Sequence, residues 1–112
     1  MKKLLLLLAL ISTNALAAYT CSGYVKGVSI EAKTGDVIVE QIGPLKWPRM
    51  CKVDNEHDGI SADACKAVYS TLLAAQTSKK QVTLWFNDSK SCTEQVEWQW
   101  IPGWYFGPSL RD

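Results

Sequence analysis

Residues 61–87 read SADACKAVYSTLLAAQTSKKQVTLWFN, and in this stretch a helical pattern passes directly into a strand pattern. In its first part, apolar side chains recur at the spacings i, i+3, i+7 and i+10, which predict an amphipathic helix. These side chains belong to Cys65, Val68, Leu72 and Ala75. Ser61 is the expected N-cap, because its hydroxyl can accept a hydrogen bond from a backbone N–H group of the first turn. In the second part, residues 81–87, apolar and polar side chains alternate, which predicts a strand.

The chain before this stretch carries three predicted strands. They span residues 19–32, 37–42 and 45–53. In the first of them the apolar pattern changes phase at Gly27, which predicts a bulge or a sharp bend. Pro48 marks the third as an edge strand or an irregular one, because proline cannot donate a hydrogen bond to a strand ladder.

The chain after this stretch carries one more predicted strand, residues 94–101. Val96, Trp98 and Trp100 alternate there with polar residues, so we expect these three side chains to lie in the core. An aromatic tail, residues 104–108, follows a break at a proline and a glycine.

The order of these elements, β-β-β-α-β-β, predicts a mainly β fold with one helix. It is the order of a five-stranded barrel of the OB type, in which the helix lies between the third and fourth strands. A long, bent first strand suits that barrel, because this strand has to pair on both sides. The alternative is an open α+β meander with the helix on one face.

The four cysteines predict two disulfides, Cys21 with Cys92 and Cys51 with Cys65. In the barrel the first strand pairs antiparallel with the fourth, which brings Cys21 close to Cys92, and the other two cysteines flank a short loop. This is one of three possible pairings. A zinc site is disfavoured, because no two cysteines have the C-x2-C spacing and His57 is the only histidine. We therefore expect no metal and no cofactor.

Residues 1–17 have the pattern of a secretory signal peptide. Two lysines precede an apolar run over residues 4–11, and alanines stand at positions 15 and 17, just before the expected cleavage site. Four cysteines in an exported chain are typical of an oxidising compartment. We expect residues 18–112 to form a single disulfide-bonded domain that is periplasmic or secreted from a bacterium.

The charge of the predicted mature chain argues against two classes of partner. Ten basic and eleven acidic side chains remain after residues 1–17, a formal net charge of −1. That balance gives no basic excess with which to bind nucleic acid. No stretch of the mature chain is apolar enough for a membrane span.

The run from Cys51 to Pro108 resembles short exported proteins of gammaproteobacteria and, more distantly, the pentamer-forming B subunits of subtilase-cytotoxin and pertussis-type toxins. The resemblance is carried by a cysteine at a strand end, a cysteine before a helix, a polar turn from that helix into a strand, and the closing Phe106-Gly107-Pro108. It implies an OB fold, a glycan-binding role and a homo-oligomer. It carries over no individual sugar-binding residue.

Five tryptophans and four tyrosines are unusual for so short a domain. Four of the aromatic residues are hard to bury: Trp85 is out of phase with the apolar residues of its strand, Trp47 stands beside a proline, and Trp104 and Tyr105 begin the tail. These four are the candidate ligand-binding residues, because exposed rings offer apolar area at a low entropic cost. The alternative is that they cap the barrel and have only a structural role.

An acidic loop imitates the start of a calcium site. Asp54, Glu56 and Asp58 have the spacing of such a loop, but its twelfth position, which needs a bidentate carboxylate, is Cys65. We find no set of nucleophile, base and orienting group, and oxidised cysteines provide no thiolate. We therefore expect no catalytic residues and no enzyme activity, with His57 exposed in a polar loop.

The sequence thus predicts an exported, non-enzymatic binding module, similar to a toxin B subunit, that recognises a glycan or a protein surface through exposed aromatic residues. One alternative is a periplasmic inhibitor or immunity-type protein that blocks a cell-wall enzyme. Another is a structural factor of the envelope with no soluble ligand.

Overall fold

The computed structural model describes residues 18–112, so the predicted signal peptide, residues 1–17, lies outside the described residues. The described part of the chain is mainly β with one helix, as the sequence predicts. The strands are β1 (Tyr19–Glu31), β2 (Asp36–Ile42), β3 (Leu45–Lys46), β4 (Arg49–Lys52), β5 (Gln81–Phe86) and β6 (Trp104–Leu110). The helix, α1, is Ala62–Ser78, and a short 3-10 turn spans Cys92–Glu94.

The strands form one open antiparallel sheet in the order β3-β2-β1-β5-β6, and β4 also pairs with β2. β1 lies at the centre, because its residues 19–24 pair with β5 and its residues 25–31 pair with β2. Gly27 has a φ of +68°, just after the point where the partner of β1 changes. The register with β2 is the same on both sides of Gly27, so no residue is inserted there and the predicted irregularity is not a bulge.

The core lies between the inner face of the sheet and the helix. Its fully buried side chains include Val37, Val39, Ile42, Leu45, Leu72, Val82, Leu84 and Phe86. Burying an aliphatic or aromatic side chain of this size contributes roughly 1.5–3 kcal/mol. Because successive side chains of a strand point to opposite faces, the residues between them in β5 point away from the core.

Helix α1 begins where the sequence predicts. The backbone of Ser61 is extended, and its Oγ accepts a hydrogen bond from the Ala64 N–H at 3.0 Å. Three residues of the predicted stripe are buried, Cys65, Leu72 and Ala75, and Val68 is half-buried. The helix ends at Lys79, which has a left-handed backbone and caps the last turn.

Both disulfides join the predicted pairs. Cys21 and Cys92 connect β1 to the 3-10 turn, and Cys51 and Cys65 connect β4 to the first turn of α1. The Cα–Cα distance is 5.7 Å in each, which is ordinary for a disulfide. The helix start is therefore covalently attached to the sheet.

The predicted fifth strand over residues 94–101 is wrong. Val96 and Trp98 are 60% and 47% exposed, although the alternation predicts that both are buried. Trp98 has a φ of +68°, a left-handed conformation outside the β region that a residue with a Cβ atom adopts in a regular strand. The last strand is instead β6, which begins in the aromatic tail.

The predicted third strand is divided into β3 and β4. Trp47 has a φ of +50° and is followed by Pro48, so the chain turns between the two short strands. This is the irregularity that the proline predicts.

Residues 98–101 lie alongside β4 without forming a regular strand. The Arg49 N–H donates to the Gln99 carbonyl at 3.2 Å, and the Ile101 N–H donates to the Arg49 carbonyl at 3.3 Å. Together they form one parallel bridge. The sheet is open, and the closed five-stranded barrel is not confirmed.

A simple meander does not describe the sheet either, because β5 lies beside β1 and not beside the strand that precedes it in the chain. The helix packs mainly against β1 and also contacts β6 and β4.

Within residues 18–112, no helix is both long and apolar enough to cross a membrane.

Candidate binding surfaces

The outer face of β1, β5 and β6 carries an aromatic pair beside a row of hydroxyl groups. The directly opposed pairs are Thr20 with Trp85, Ser22 with Thr83, Trp85 with Phe106, and Thr83 with Ser109. Directly opposed residues of antiparallel strands point to the same side of a sheet. We call this set the sheet-face patch: Thr20, Ser22, Thr83, Trp85, Phe106 and Ser109.

The aromatic part of the sheet-face patch is an edge-to-face pair. The ring centroids of Trp85 and Phe106 are 5.0 Å apart and the ring planes meet at 83°, a favourable arrangement for two aromatic rings. Trp85 is half-buried and Phe106 is 58% exposed. Trp85 therefore lies outside the core, as its phase in β5 predicts, and Phe106 braces its ring.

The polar part of the patch is a pair of hydroxyl groups. Ser22 Oγ and Thr83 Oγ1 lie 2.7 Å apart and share a hydrogen bond. This bond fixes the orientation of both side chains. Thr83 is only 7% exposed, whereas Ser22 is exposed, so the Ser22 hydroxyl is the one that can form a further hydrogen bond to a ligand. The patch therefore combines an apolar surface with polar groups of fixed position.

Trp47 and Trp98 form a second aromatic pair, which we call the turn pair. Their ring centroids are 4.4 Å apart and their planes are inclined by only 14°, so the rings are stacked. The backbone N–H of Trp98 also donates to the backbone carbonyl of Trp47 at 2.9 Å. The structure thus separates the candidate Trp47 from Trp85 and joins it to a residue that the sequence assigned to the core.

A buried carboxylate holds the segment that carries Trp98. Asp36 is 4% exposed and forms ion pairs with Arg49 and with Lys52, whose Nζ lies 2.6 Å from Asp36 Oδ1. Burial alone would raise the pKa of Asp36, but the hydrogen bonds from Lys52 and Arg49 outweigh it and lower that pKa below its ordinary value. Arg49 Nε in turn donates to the Trp98 carbonyl at 3.0 Å.

The prediction that His57 is exposed in a polar loop is wrong. It is half-buried, and its ring centroid lies 3.7 Å from that of Trp100 in a stacked arrangement. The Arg49 guanidinium lies 5.6 Å from the centroid of the same indole, within the range of a cation–π contact. These contacts give His57 a packing role in the acidic loop.

Trp104 and Tyr105, the other two candidates, have different environments. Trp104 is 9% exposed and belongs to the core, so it offers no exposed ring, whereas Tyr105 is 57% exposed. Both line a small cleft of about 200 Å³ between β6 and α1, together with Ile60 and Val68. The indole N–H of Trp104 is buried and has no hydrogen-bond partner among residues 18–112.

A second cleft, of about 630 Å³, lies between the β1–β2 hairpin and the end of α1. Its lining includes Tyr24, Lys26, Glu40 and Lys79, a mixture of both charges. None of the four candidate aromatic residues lines it.

Tyr19 anchors the loop that follows β5. Its hydroxyl donates to Asp88 Oδ1 at 2.5 Å and accepts from Gln95 Nε2 at 2.9 Å. Burial, followed by the hydrogen bond to Asp88 and the charge of that carboxylate, raises the pKa of Tyr19 to about 12. The phenol therefore stays protonated at neutral pH, and its hydrogen bonds connect β1 to Asp88 and Gln95.

The acidic loop is stabilised by its own hydrogen bonds. Glu56 Oε2 accepts from the Gly59 N–H at 2.6 Å, and the loop is closed by mutual backbone bonds between His57 and Ile60. In the part of the chain that the structure describes, no group of three or more His, Cys, Asp or Glu side chains is placed to hold a metal ion.

Comparison with known proteins gives no relative from which a function could be transferred. No family model, no curated protein and no solved structure matches this chain. The resemblance to toxin B subunits therefore stays a prediction.

Sequence reasoning missed two of the residues that complete these surfaces, Phe106 and Trp98. Phe106 stands in the predicted aromatic tail, and only the strand pairing of β6 brings it against Trp85. For Trp98 the alternating pattern was misleading, and no local signal marks its left-handed backbone. Pro48 is the one sequence signal of irregular structure near the turn pair.

Proposed function

We propose that this protein is an exported, non-enzymatic binding module that recognises a glycan through the sheet-face patch. The observation that carries the proposal is the Trp85–Phe106 pair, which lies on the same sheet face as the bonded hydroxyl groups of Ser22 and Thr83. A saccharide ring has an apolar face of C–H groups and a rim of hydroxyl groups. The exposed ring of Phe106 can cover the apolar face, while the exposed hydroxyl of Ser22, which Thr83 holds in place, can bond to the rim.

We further propose an OB-like architecture and a homo-oligomer of the toxin B-subunit kind. The pairing of β1 with both β2 and β5 supports the architecture. The parallel bridge between Arg49 and Trp100 supports it as well, because it lies where a barrel of this strand order would close. The oligomer follows from the resemblance alone, and light scattering after size exclusion tests it.

The test compares two neighbouring residues of β6, Phe106 and Tyr105. They are equally exposed, at 58% and 57%, but Phe106 contacts Trp85 whereas Tyr105 lines the cleft beside α1. The oxidised protein is first screened on an array of immobilised glycans. For a glycan that binds, we expect Phe106→Ala to weaken the affinity by about tenfold or more, about 1.4 kcal/mol, and Tyr105→Ala to leave it unchanged. Failure of every glycan to bind, or an equal loss in both variants, would contradict the proposal.

A second candidate function is inhibition of a cell-wall enzyme in the periplasm. The observation that favours it is the apolar exposure along the edge strand β6, where Tyr105 and Leu110 are 57% and 45% exposed. Large exposed apolar side chains are typical anchors of protein interfaces. In this case Tyr105→Ala would weaken binding to a peptidoglycan hydrolase, and the glycan array would show no ligand.

A further inference from the structure

The backbone at the turn pair is in a conformation that tryptophan disfavours. Trp47 and Trp98 have φ values of +50° and +68°, in the left-handed region that side chains with a Cβ atom rarely adopt. The Gln99 N–H donates to the Val96 carbonyl at 3.4 Å, so Trp98 is the third residue of a four-residue turn. At that position a positive φ normally selects glycine or asparagine.

The fold gains less from Trp98 than a buried tryptophan would contribute. Its indole stacks on Trp47 through one face, and the side chain is still 47% exposed. A tryptophan that is half in water at a position suited to glycine is poorly explained by stability. Strained backbone conformations of this kind are concentrated at sites that bind ligands.

We propose that the turn pair is a second ligand-binding site, separate from the sheet-face patch, which stacks one pyranose ring of a glycan on the open face of Trp98. Trp47 covers the other face of the indole and fixes its plane. The Asp36–Arg49 network fixes its position, because Arg49 Nε holds the Trp98 carbonyl at 3.0 Å.

The surroundings of the ring suit an uncharged saccharide. Glu97 and Gln99, the residues on either side of Trp98, are exposed and offer a carboxylate and an amide to hydroxyl groups at the rim of a sugar. The site shares no residue with the sheet-face patch. It rests on the proposed function for its ligand class, but the two sites can be tested one by one.

The experiment follows the indole N–H signals of the unmodified, oxidised protein by two-dimensional NMR. Trp47→Phe, Trp85→Phe and Trp98→Phe each remove one signal and so assign it. The probes are soluble cello-, chito-, manno- and galacto-oligosaccharides, titrated up to their solubility limits. We expect the signals of Trp47 and Trp98 to shift together along one saturation curve with at least one of these probes.

The pattern of shifts separates the two proposals. Shifts of Trp98 without Trp85 would support the turn-pair site and overturn the sheet-face patch. Shifts of Trp85 without Trp98 would overturn the turn-pair site and leave the proposed function intact. If neither signal moves, the turn-pair site is refuted along with the glycan function.

Two substitutions of Trp98 distinguish a binding role from a structural one. We expect Trp98→Gly to unfold at a higher temperature than Trp98→Ala by about 4–8 °C, because glycine adopts the left-handed backbone without a Cβ penalty. Both variants should lose affinity for the saccharide by about tenfold or more. Retained affinity in either folded variant would overturn the proposal.

Discussion

The ion pairs of Asp36 with Arg49 and Lys52 form a charge network, and a single substitution of Asp36 should test its contribution to stability most sharply. The substitution is Asp36→Asn, which keeps the size of the side chain and removes its charge. Asp36 is 4% exposed, and its two cationic partners, Arg49 and Lys52, are only 19% and 21% exposed in their side chains. After the substitution Arg49 retains only its ion pair with the half-exposed Glu31, at 3.0 Å, and Lys52 loses its closest counter-ion.

Removing one partner from a fully buried ion pair typically costs about 3–5 kcal/mol. Both cations here retain some contact with water, so we expect a smaller loss of about 2–3 kcal/mol in the free energy of unfolding. For a domain of this size that loss corresponds to a fall in Tm of about 10–20 °C. Urea unfolding followed by tryptophan fluorescence measures it, with circular dichroism as a second probe of the same transition.

The pH dependence of the free energy of unfolding tests independently whether the ionised form of Asp36 stabilises the folded protein. The pKa of Asp36 is lower in the folded protein than in the unfolded chain, where it is about 3.9. Its contribution to stability is therefore fully present above that unfolded value and is lost as the pH falls through the folded value. The difference in stability between the unmodified protein and Asp36→Asn should be constant near neutral pH and should shrink in acid.

Asp54→Asn is the matched control, because Asp54 also approaches Lys52, at 4.0 Å, but its side chain is 59% exposed. An exposed pair of this kind contributes little, so this variant should unfold like the unmodified protein. Equal effects of the two substitutions, or a loss at Asp36 that does not change with pH, would refute the assignment of a buried, charged Asp36.

Two further predictions concern covalent and local restraints. Replacing both cysteines of the Cys21–Cys92 disulfide with alanine should destabilise the protein by about 1.4 kcal/mol more than removing the other disulfide. The two bonds close sequence separations of 71 and 14 residues, and equal losses in urea unfolding would contradict this entropic account. Ser61→Ala should cost about 1 kcal/mol, because Ser61 Oγ caps the helix. The exposed Ser70→Ala in the middle of α1 is its control, and an equal or smaller loss at Ser61 would show that the cap contributes nothing.

Helix α1 and the two disulfides could be predicted from the sequence because their signals are local or follow from element order. The N-cap at Ser61 depends on one hydroxyl group and the next three residues. The spacing of the apolar stripe identifies the buried face of the helix without knowledge of its partner. The disulfide pairs follow once β1 is paired antiparallel with β5, since that places Cys21 beside the chain that leads to Cys92.

The candidate site could be predicted only in part. The phase of Trp85 within β5 places its ring outside the core, because a strand alternates strictly between two faces. Trp47 is half-buried, as the neighbouring proline suggests, but Trp104 is a core residue. The position of Trp104 in the tail does not reveal this, because its burial depends on the pairing of β6 with β5.

The sequence by itself therefore determined the helix, the positions of the first two strands, the covalent connections and the surplus of aromatic residues. Only the tertiary structure decided which rings meet: Trp85 with Phe106, and Trp47 with Trp98. The physical reason is that alternation of apolar and polar residues records side-chain chemistry and not backbone dihedral angles. Residues 94–101 alternate like a buried strand, yet Arg49 and the backbone of Trp47 hold Trp98 in a left-handed backbone conformation with its side chain 47% exposed.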